Sequence, residues 1–388
     1  MAFPAVVISA RGVERILSGH PWIYRGDVLG ASEAEGGAVV RLLDRKKRFW
    51  GQALYSSKSQ IALRLLTREA RPFDGAFLTE RICAAAAFRE QVVQGAQAYR
   101  LVASEGDLLP SLVIDRYAAC FVIQTLSQGM ERLKPQIVAT LQRQFSPLSV
   151  IERNDASVRT LEGLPEQKGV LAGEPVGEVV VEENGMKFCF DLLQGQKTGG
   201  FLDQRENRAA ARQYARGHML DCFAYTGGFG LTVARQCESV LAVESSAEAL
   251  KLARRNQELN ALTNVEWKEA NCFNFLKTAD QQKRRFDTIV LDPPPFARQK
   301  SNVESALRGY KELNLRALKM LNPGGFLITC SCSHHVGEAD FLEVIASAAL
   351  DAHRTVMVIE RRTQARDHPI LLTVPETHYL KCLVLRAL

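Results

Sequence analysis

No apolar run among the 388 residues reaches the roughly twenty needed to cross a bilayer, so no membrane partner is expected. The opening stretch, Met1-Ala-Phe-Pro-Ala-Val-Val-Ile-Ser9, lacks the charged start and long apolar core of a secretory signal. A cytoplasmic location is therefore expected. Internal repeats and low-complexity segments are also missing, which leaves ordinary globular domains. A disulfide framework is lacking too: the nine cysteines are an odd number, scattered through apolar, strand-like contexts that suit reduced, buried thiols. Cys330 and Cys332 are the one close pair. Without a second pair they are poor evidence for zinc, even with His334 and His335 directly following, and no metal is expected.

What is present fits a soluble enzyme-sized protein. A hydrophobic content of 46% with 24% charged residues is that of a globular chain, and the length exceeds one ordinary core, so two or three domains are expected. The net charge of +6 is unevenly spread. Residues 1–70 carry eleven Lys and Arg against six Asp and Glu, including the run Arg45-Lys46-Lys47-Arg48 beside Phe49 and Trp50. Such a run is commonly a solvated turn between strands, yet cations beside stackable rings are also what a phosphate backbone and unpaired bases require.

Short β-type runs alternate with turn residues through 1–70, at 5–9, 38–43, 49–55 and 61–66, without a long helical period, which predicts a small β-barrel. Residues 71–190 read as a compact α+β module: a helix over 77–94, two strands around Glu105-Gly106-Asp107, a helix near 131–144, and further strands. From 191 to 388 the pattern becomes βαβα, with strands predicted at 218–223, 239–244, 264–269, 286–291, 325–331, 355–360 and 378–386. The proline-interrupted connection from His368-Pro369 to Val374-Pro375 predicts a final antiparallel hairpin on this sheet.

Residues 221–230, Asp-Cys-Phe-Ala-Tyr-Thr-Gly-Gly-Phe-Gly, read as a buried strand entering a glycine turn that opens a helix. The next strand ends at Glu244, where a ribose would sit. The glycines could serve only a tight turn. The acid at this distance favours a nucleotide-type cofactor, although G-x-G-x-x-G cannot be laid on Thr226-Gly227-Gly228-Phe229-Gly230. The loop looks much like the first loop of class I S-adenosylmethionine-dependent methyltransferases, where acids matching Asp221 and Glu244 lie at the methionine and ribose ends of the cofactor.

Three more segments carry chemistry. An apolar strand stops at Asp292-Pro293-Pro294-Pro295-Phe296, where prolines fix φ and free their carbonyls from local amide donors, so that Asp292 can face a flat base. At the end of a later strand stands Thr329-Cys330-Ser331-Cys332-Ser333. Alternation sends both cysteines to one face, toward the pocket mouth, and a strand-end thiolate beside a cofactor is a candidate nucleophile. The third, Gln194 to Arg205, is polar and glycine-rich; Lys197-Thr198 precedes its Gly-Gly pair, which excludes a Walker loop and suggests a lid.

Together these segments resemble the RlmI-like 23S ribosomal RNA cytosine-C5 methyltransferase family over essentially the whole chain. The resemblance rests on His20-Pro21-Trp22-Ile23-Tyr24, Glu105-Gly106-Asp107, Val113-Ile114-Asp115-Arg116, Lys197-Thr198-Gly199, Leu202-Asp203-Gln204-Arg205, Asp292-Pro293-Pro294 and Ser331-Cys332-Ser333. It implies an α/β protein: a PUA-like RNA-binding barrel over 1–70, an α+β domain over 71–190, and a Rossmann-like methyltransferase domain over 191–388. It implies S-adenosylmethionine contacts from Gln196, Lys197, Thr198, Phe201, Asp203 and Arg205, from Asp221, Phe223, Tyr225, Thr226, Gly227 and Gly228, from Glu244 and Ser245, from Asn271 and Cys272, and from Asp292. Departures from the family pattern are Asn271, whose side-chain oxygen can accept from an adenine amine in place of an aspartate, Phe201 after two glycines, and His334-His335.

The chemistry expected is formation of 5-methylcytosine, with Cys332 adding to carbon 6, Asp292 holding the base at its ring nitrogen 3 edge, and Pro293, Pro294 and Phe296 forming the base site. Arg45, Lys46, Lys47 and Arg48 are candidate contacts to 23S ribosomal RNA, whose target cytosine must be unpaired or flipped. A homodimer is a further possibility of this reading. The alternatives are an exocyclic-amine RNA methyltransferase using Asp292-Pro-Pro without a cysteine, and an RNA-binding protein that holds cofactor without catalysis.

Overall fold

The computed structural model describes residues 3–31, 33–297 and 300–388. They divide into two units, one formed by 1–181, 190–202 and 366–377, the other by 182–189, 203–365 and 378–388.

In the first unit, β1 (Ala5–Ile8), β2 (Trp22–Tyr24), β3 (Val28–Gly30), β4 (Val39–Leu43), β5 (Phe49–Tyr55) and β6 (Ile61–Thr67) form one sheet in the order β2-β6-β5-β4-β1-β3. Val6, Ile8, Ile23, Val40, Leu42 and Leu63 pack as its core. The predicted strands are present, but a helix the sequence did not announce, α1 (Ala10–Leu17), lies between β1 and β2. Ser9 caps it by accepting from the Gly12 amide. At two turns the helix is too short to display a period. The module that follows has α2 (Gly75–Val92), then β7 (Ala98–Ala103), β8 (Leu112–Tyr117) and β9 (Cys120–Thr125), α3 (Gln128–Phe145), β10 (Ser149–Asn154) and β11 (Gln167–Gly173). Its five strands run in the order β11-β10-β9-β8-β7. The chain then passes toward the second unit along a two-stranded ribbon, β12 (Glu178–Glu183) and β13 (Met186–Asp191).

Besides residues 182–189 of this ribbon, the second unit comprises α4 (Arg205–Ala211) and then alternates β14 (His218–Cys222), α5 (Gly228–Val233), β15 (Ser239–Glu244), α6 (Ala247–Leu259), β16 (Val265–Glu269), α7 (Cys272–Gln281), β17 (Phe286–Leu291), α8 (Val303–Met320), β18 (Leu321–Ser331), α9 (Glu338–Asp351), β19 (Val356–Arg362) and β20 (Lys381–Ala387). Its seven strands are ordered β16-β15-β14-β17-β18-β20-β19. The first five are parallel, and β20 runs antiparallel between β18 and β19, as the expected hairpin requires. Central strands such as β14 and β17 are buried over nearly their whole length, which explains their unbroken apolar reading. Strand β18 begins four residues earlier than predicted, because a register shift against β17 admits Asn322-Pro-Gly-Gly as an irregular start. Strand order reverses between β14 and β17, so the carboxyl ends of β14, β15, β17 and β18 open onto one crevice. Among the described residues no helix is long and apolar enough to cross a membrane, and no three His, Cys, Asp or Glu side chains are grouped to hold a metal ion.

Candidate active site

The loop after β14 is held by side chains from its neighbours. Asp221 is buried and its Oδ2 accepts from the Gly230 amide at 2.8 Å, joining the strand to α5. Between them Phe223 and Tyr225 stand in the left-handed region, at φ of 63° and 49°, a conformation that costs non-glycine residues about 1–2 kcal/mol each. Two contacts hold them there. The Phe223 amide meets Cys272 Sγ at 3.2 Å, and the Tyr225 amide donates to Glu244 Oε2 at 2.9 Å. Gly227 has φ of 89°, and a Cβ there would lie 2.7 Å from Leu231 and from Trp267. Thr226 is buried, and its carbonyl accepts from Asn256.

Glu244 also gathers the amides of Ser245 and Ser246 on Oε1, at 2.7 and 2.9 Å. The carboxylate is thus fixed by three backbone donors drawn from two loops. Burial, opposed by the Gly230 hydrogen bond and reinforced by the nearby charges of Asp292 and Glu244, pushes the Asp221 carboxyl up to about 7. Asp221 thus feels the charges of both Asp292 and Glu244. A ligand bearing an ammonium and a sulfonium suits a site that three acids share, and S-adenosylmethionine has both. Asn271 is exposed and its Oδ1 caps α7 by accepting from the Asn274 amide at 3.2 Å.

The acceptor side is built at the ends of β17 and β18. Asp292 follows β17 and its amide reaches the Cys222 carbonyl at 3.4 Å. Gln204 Nε2 donates to Asp292 Oδ1 at 2.8 Å, while Asn207 Nδ2 donates to Gln204 Oε1 at 2.7 Å. Cys332 lies just beyond β18, half-buried, with Sγ 3.7 Å from the Pro293 carbonyl. Pro294 is exposed, while Phe296 is half-buried in a row of rings, 5.8 Å from Phe273 and 4.8 Å from Tyr310 between centroids.

Ser333 joins these pieces. Its Oγ accepts from the amides of Phe296 and Ala297, at 3.1 and 3.2 Å, and lies 2.9 Å from Tyr310 Oη. With both lone pairs engaged, the serine hydroxyl is left to donate to the tyrosine. The turn carrying Cys332 and the loop carrying Asp292 are thereby pinned to each other and to α8. Cys330 departs from expectation: it does not reach the pocket mouth but is wholly buried opposite Cys382, and burial, reinforced by Cys382, drives its thiol well above the usual range. Strand alternation holds for Cys330 and stops at Ser331; Cys332 is already in the turn.

Gln196, Lys197, Thr198 and Phe201 belong to the first unit. There Thr198 is buried, its hydroxyl donating to Asp115 at 2.5 Å and lying 3.3 Å from Tyr117 Oη, while Lys197 Nζ lies 4.3 Å from the centre of the Phe201 ring. Asp203 and Arg205 are buried in the second unit, where Tyr379 Oη donates to Asp203 Oδ2 at 2.9 Å. Arg45, Lys46, Lys47 and Arg48 form the exposed turn between β4 and β5; Asp44 binds the Arg48 guanidinium at 2.7 Å, and that guanidinium lies over Trp50. Sequence reasoning passed over Gln204, Ser333 and Lys381 as site residues. The first two were within quoted motifs, and the third betrayed itself only as a charge inside the apolar run Leu380-Lys-Cys-Leu-Val-Leu385.

Fold, loop and acids together define a class I S-adenosylmethionine-dependent methyltransferase. Residues 163–386 match the family model of S-adenosylmethionine-dependent methyltransferases and residues 6–68 that of a PUA-like domain. Solved structures of like fold include a putative SAM-dependent methyltransferase from Streptococcus mutans (19% identity, TM-score 0.83, covering 99% of this chain and all of that one). Another is a putative methyltransferase complexed with SAH (20% identity, TM-score 0.85, covering all of both chains). Among curated relatives, ribosomal RNA large subunit methyltransferase I of Tolumonas auensis is 42% identical over 385 residues, 96% of each chain. That of Klebsiella pneumoniae is 39% identical over 388 residues, covering 98% of this chain and 97% of the relative. The chain belongs to the ribosomal RNA large subunit methyltransferase I family.

Proposed function

We propose that this chain methylates carbon 5 of an unpaired or flipped cytosine in 23S ribosomal RNA, with Cys332 as the nucleophile. The observation that carries the reading is the pinning of the Cys332 turn to the Asp292 loop through the Ser333 hydroxyl. It holds a thiol and a carboxyl in fixed relation, as attack on one edge of a ring and support of another require.

S-adenosylmethionine, when bound, supplies an electrophilic methyl group. Asp221, the loop 223–228 and Glu244 would hold it, with Asp203 and Arg205 as further expected contacts. Carbon 5 of cytosine is too weak a nucleophile unaided. The Cys332 thiolate adds to carbon 6, the ring's π electrons move toward ring nitrogen 3, and a proton is taken up there under the hand of Asp292. Carbon 5 of the resulting enamine is then nucleophilic enough to take the methyl from the bound cofactor, whose sulfonium becomes a neutral thioether. Transfer of the carbon 5 proton to water then expels the Cys332 thiolate from carbon 6, restores the carbon 5–carbon 6 double bond and releases the proton held at nitrogen 3 to Asp292. All groups named in these steps come from one chain. The PUA-like barrel, with the exposed cations of the 45–48 turn, fits contacts to the RNA backbone.

Cys332→Ala should abolish methyl transfer to unmodified 23S RNA while leaving cofactor binding intact. Mass mapping of the product should put the methyl on the ring carbon. Full activity of the variant, or a methyl on the exocyclic nitrogen, would overturn the reading.

A further inference from the structure

Lys381 opens β20 directly across the ladder from Ser331, the last residue of β18 before the Cys332 turn. It is 4% exposed, and its ammonium donates to the Ser333 carbonyl at 2.7 Å and to the Tyr379 carbonyl at 2.9 Å. Among the described residues no carboxylate pairs with it. A buried cation compensated only by two neutral carbonyls is costly and calls for a negative partner. The groups around it are few: Cys332 and Ser333 from the turn, Tyr379 before β20 with the His334 ring stacked near it, Glu338 at the start of α9, and Tyr310 from α8 through the Ser333 hydroxyl.

We propose that Lys381 is the buried counter-ion that holds Cys332 as a thiolate, acting through the sulfur and not on the base. The catalytic meaning of this rests on the reading of Cys332 as nucleophile; the electrostatic pairing does not. Burial draws the lysine down to about 8, while the Cys332 and Glu338 charges work in the opposite sense, Cys332 first. Attraction is mutual, so the ammonium that Cys332 favours lowers the thiol in return. Glu338 is already ion-paired with Arg361 at 3.7 Å, which leaves the sulfur as the partner whose charge depends on the lysine. Tyr310, pushed up to about 12 chiefly by burial, stays neutral throughout and can only donate or accept a hydrogen bond. Both carbonyl contacts fix the ammonium beside the turn.

The test is the pH dependence of Cys332 alkylation by iodoacetamide, followed by peptide mass in wild type, Lys381→Met and Lys381→Arg. In wild type the logarithm of the rate should rise with less than unit slope through about pH 8, as the lysine loses its proton and the thiol stiffens. Lys381→Met should alkylate about tenfold more slowly at pH 7, the change that one pKa unit produces, and Lys381→Arg should recover most of that loss. Lys381→Met with an unchanged profile, or a wild-type profile of unit slope ending near the ordinary thiol value, would overturn the pairing. Should the methionine variant fail to fold, the wild-type slope still decides. A perturbed Cys332 in a chain whose Cys332→Ala variant keeps full activity would sustain the pairing and defeat the nucleophile reading, so the two can fail separately.

Discussion

The side-chain amide of Gln204 donates to Asp292 Oδ1 at 2.8 Å, and its own orientation is set by Asn207, whose amide donates to Gln204 Oε1. A residue from the segment before α4 thus presents the acid that ends β17. Gln204→Ala should lower turnover by one to two orders of magnitude with little change in cofactor affinity, since a misplaced group at the reacting centre costs about that much. Steady-state kinetics beside calorimetric cofactor titration checks it; equal losses in both would contradict the assignment of Gln204 to the acceptor side.

Asp221 is buried and its carboxyl rises to about 7, burial being the largest cause. Its folded-state pKa lies above the ordinary value of about 4, so between those values the folded state holds a proton that the unfolded chain has lost. Stability of the cofactor-free protein therefore falls as pH rises from about 4 to 7, by up to an order of 4 kcal/mol. Asp221→Asn should remove this dependence and raise the melting temperature at pH 8, while weakening cofactor binding at least tenfold. Thermal scans from pH 5 to 8 with and without S-adenosylmethionine read both effects, and a lower melting temperature for the variant at pH 8 would count against them.

Ser333→Ala deletes the one hydroxyl that satisfies two amides and meets Tyr310. Leaving buried donors unmade costs about 1–3 kcal/mol, so urea midpoints should fall accordingly. Turnover should fall further than stability explains, because the Cys332 turn loses its tie to the Asp292 loop. Ser333→Thr, which restores the hydroxyl, should recover part of the turnover.

Gly227→Ala places a Cβ at 2.7 Å from Leu231 and Trp267 on a backbone with φ of 89°. Cofactor binding should be lost or fall at least tenfold, with destabilisation of about 2 kcal/mol or more. Near wild-type affinity would show that the loop can shift without consequence.

Much of the second unit was legible because its central strands are buried on both faces and end at chemistry-bearing residues: Asp221, Glu244 and Asp292 each stand where an apolar run stops. The glycine turn could be read because Gly227 has a conformation that side chains resist. α1 was hidden by its brevity, and the early start of β18 by a proline and two glycines that ordinarily signal a loop. Cys330 was misplaced because alternation describes a strand and says nothing of where the strand ends. Gln204 and Lys381 were hidden for a different reason. Their importance lies in partners 88 and 48 residues away, Asp292 and Ser333, and no local pattern records such a distance.

The Ser333 node bears on where the energy of base capture must come from. Because the turn carrying the thiol and the loop carrying the acid are already tied to each other through the Ser333 hydroxyl, the acceptor site has little left to assemble when a nucleotide arrives. On the proposed reading, drawing the base out of its stack then rests on the RNA itself, and the sequence context of the modified cytosine should be chosen by how readily its loop yields the base and less by contacts to the base itself.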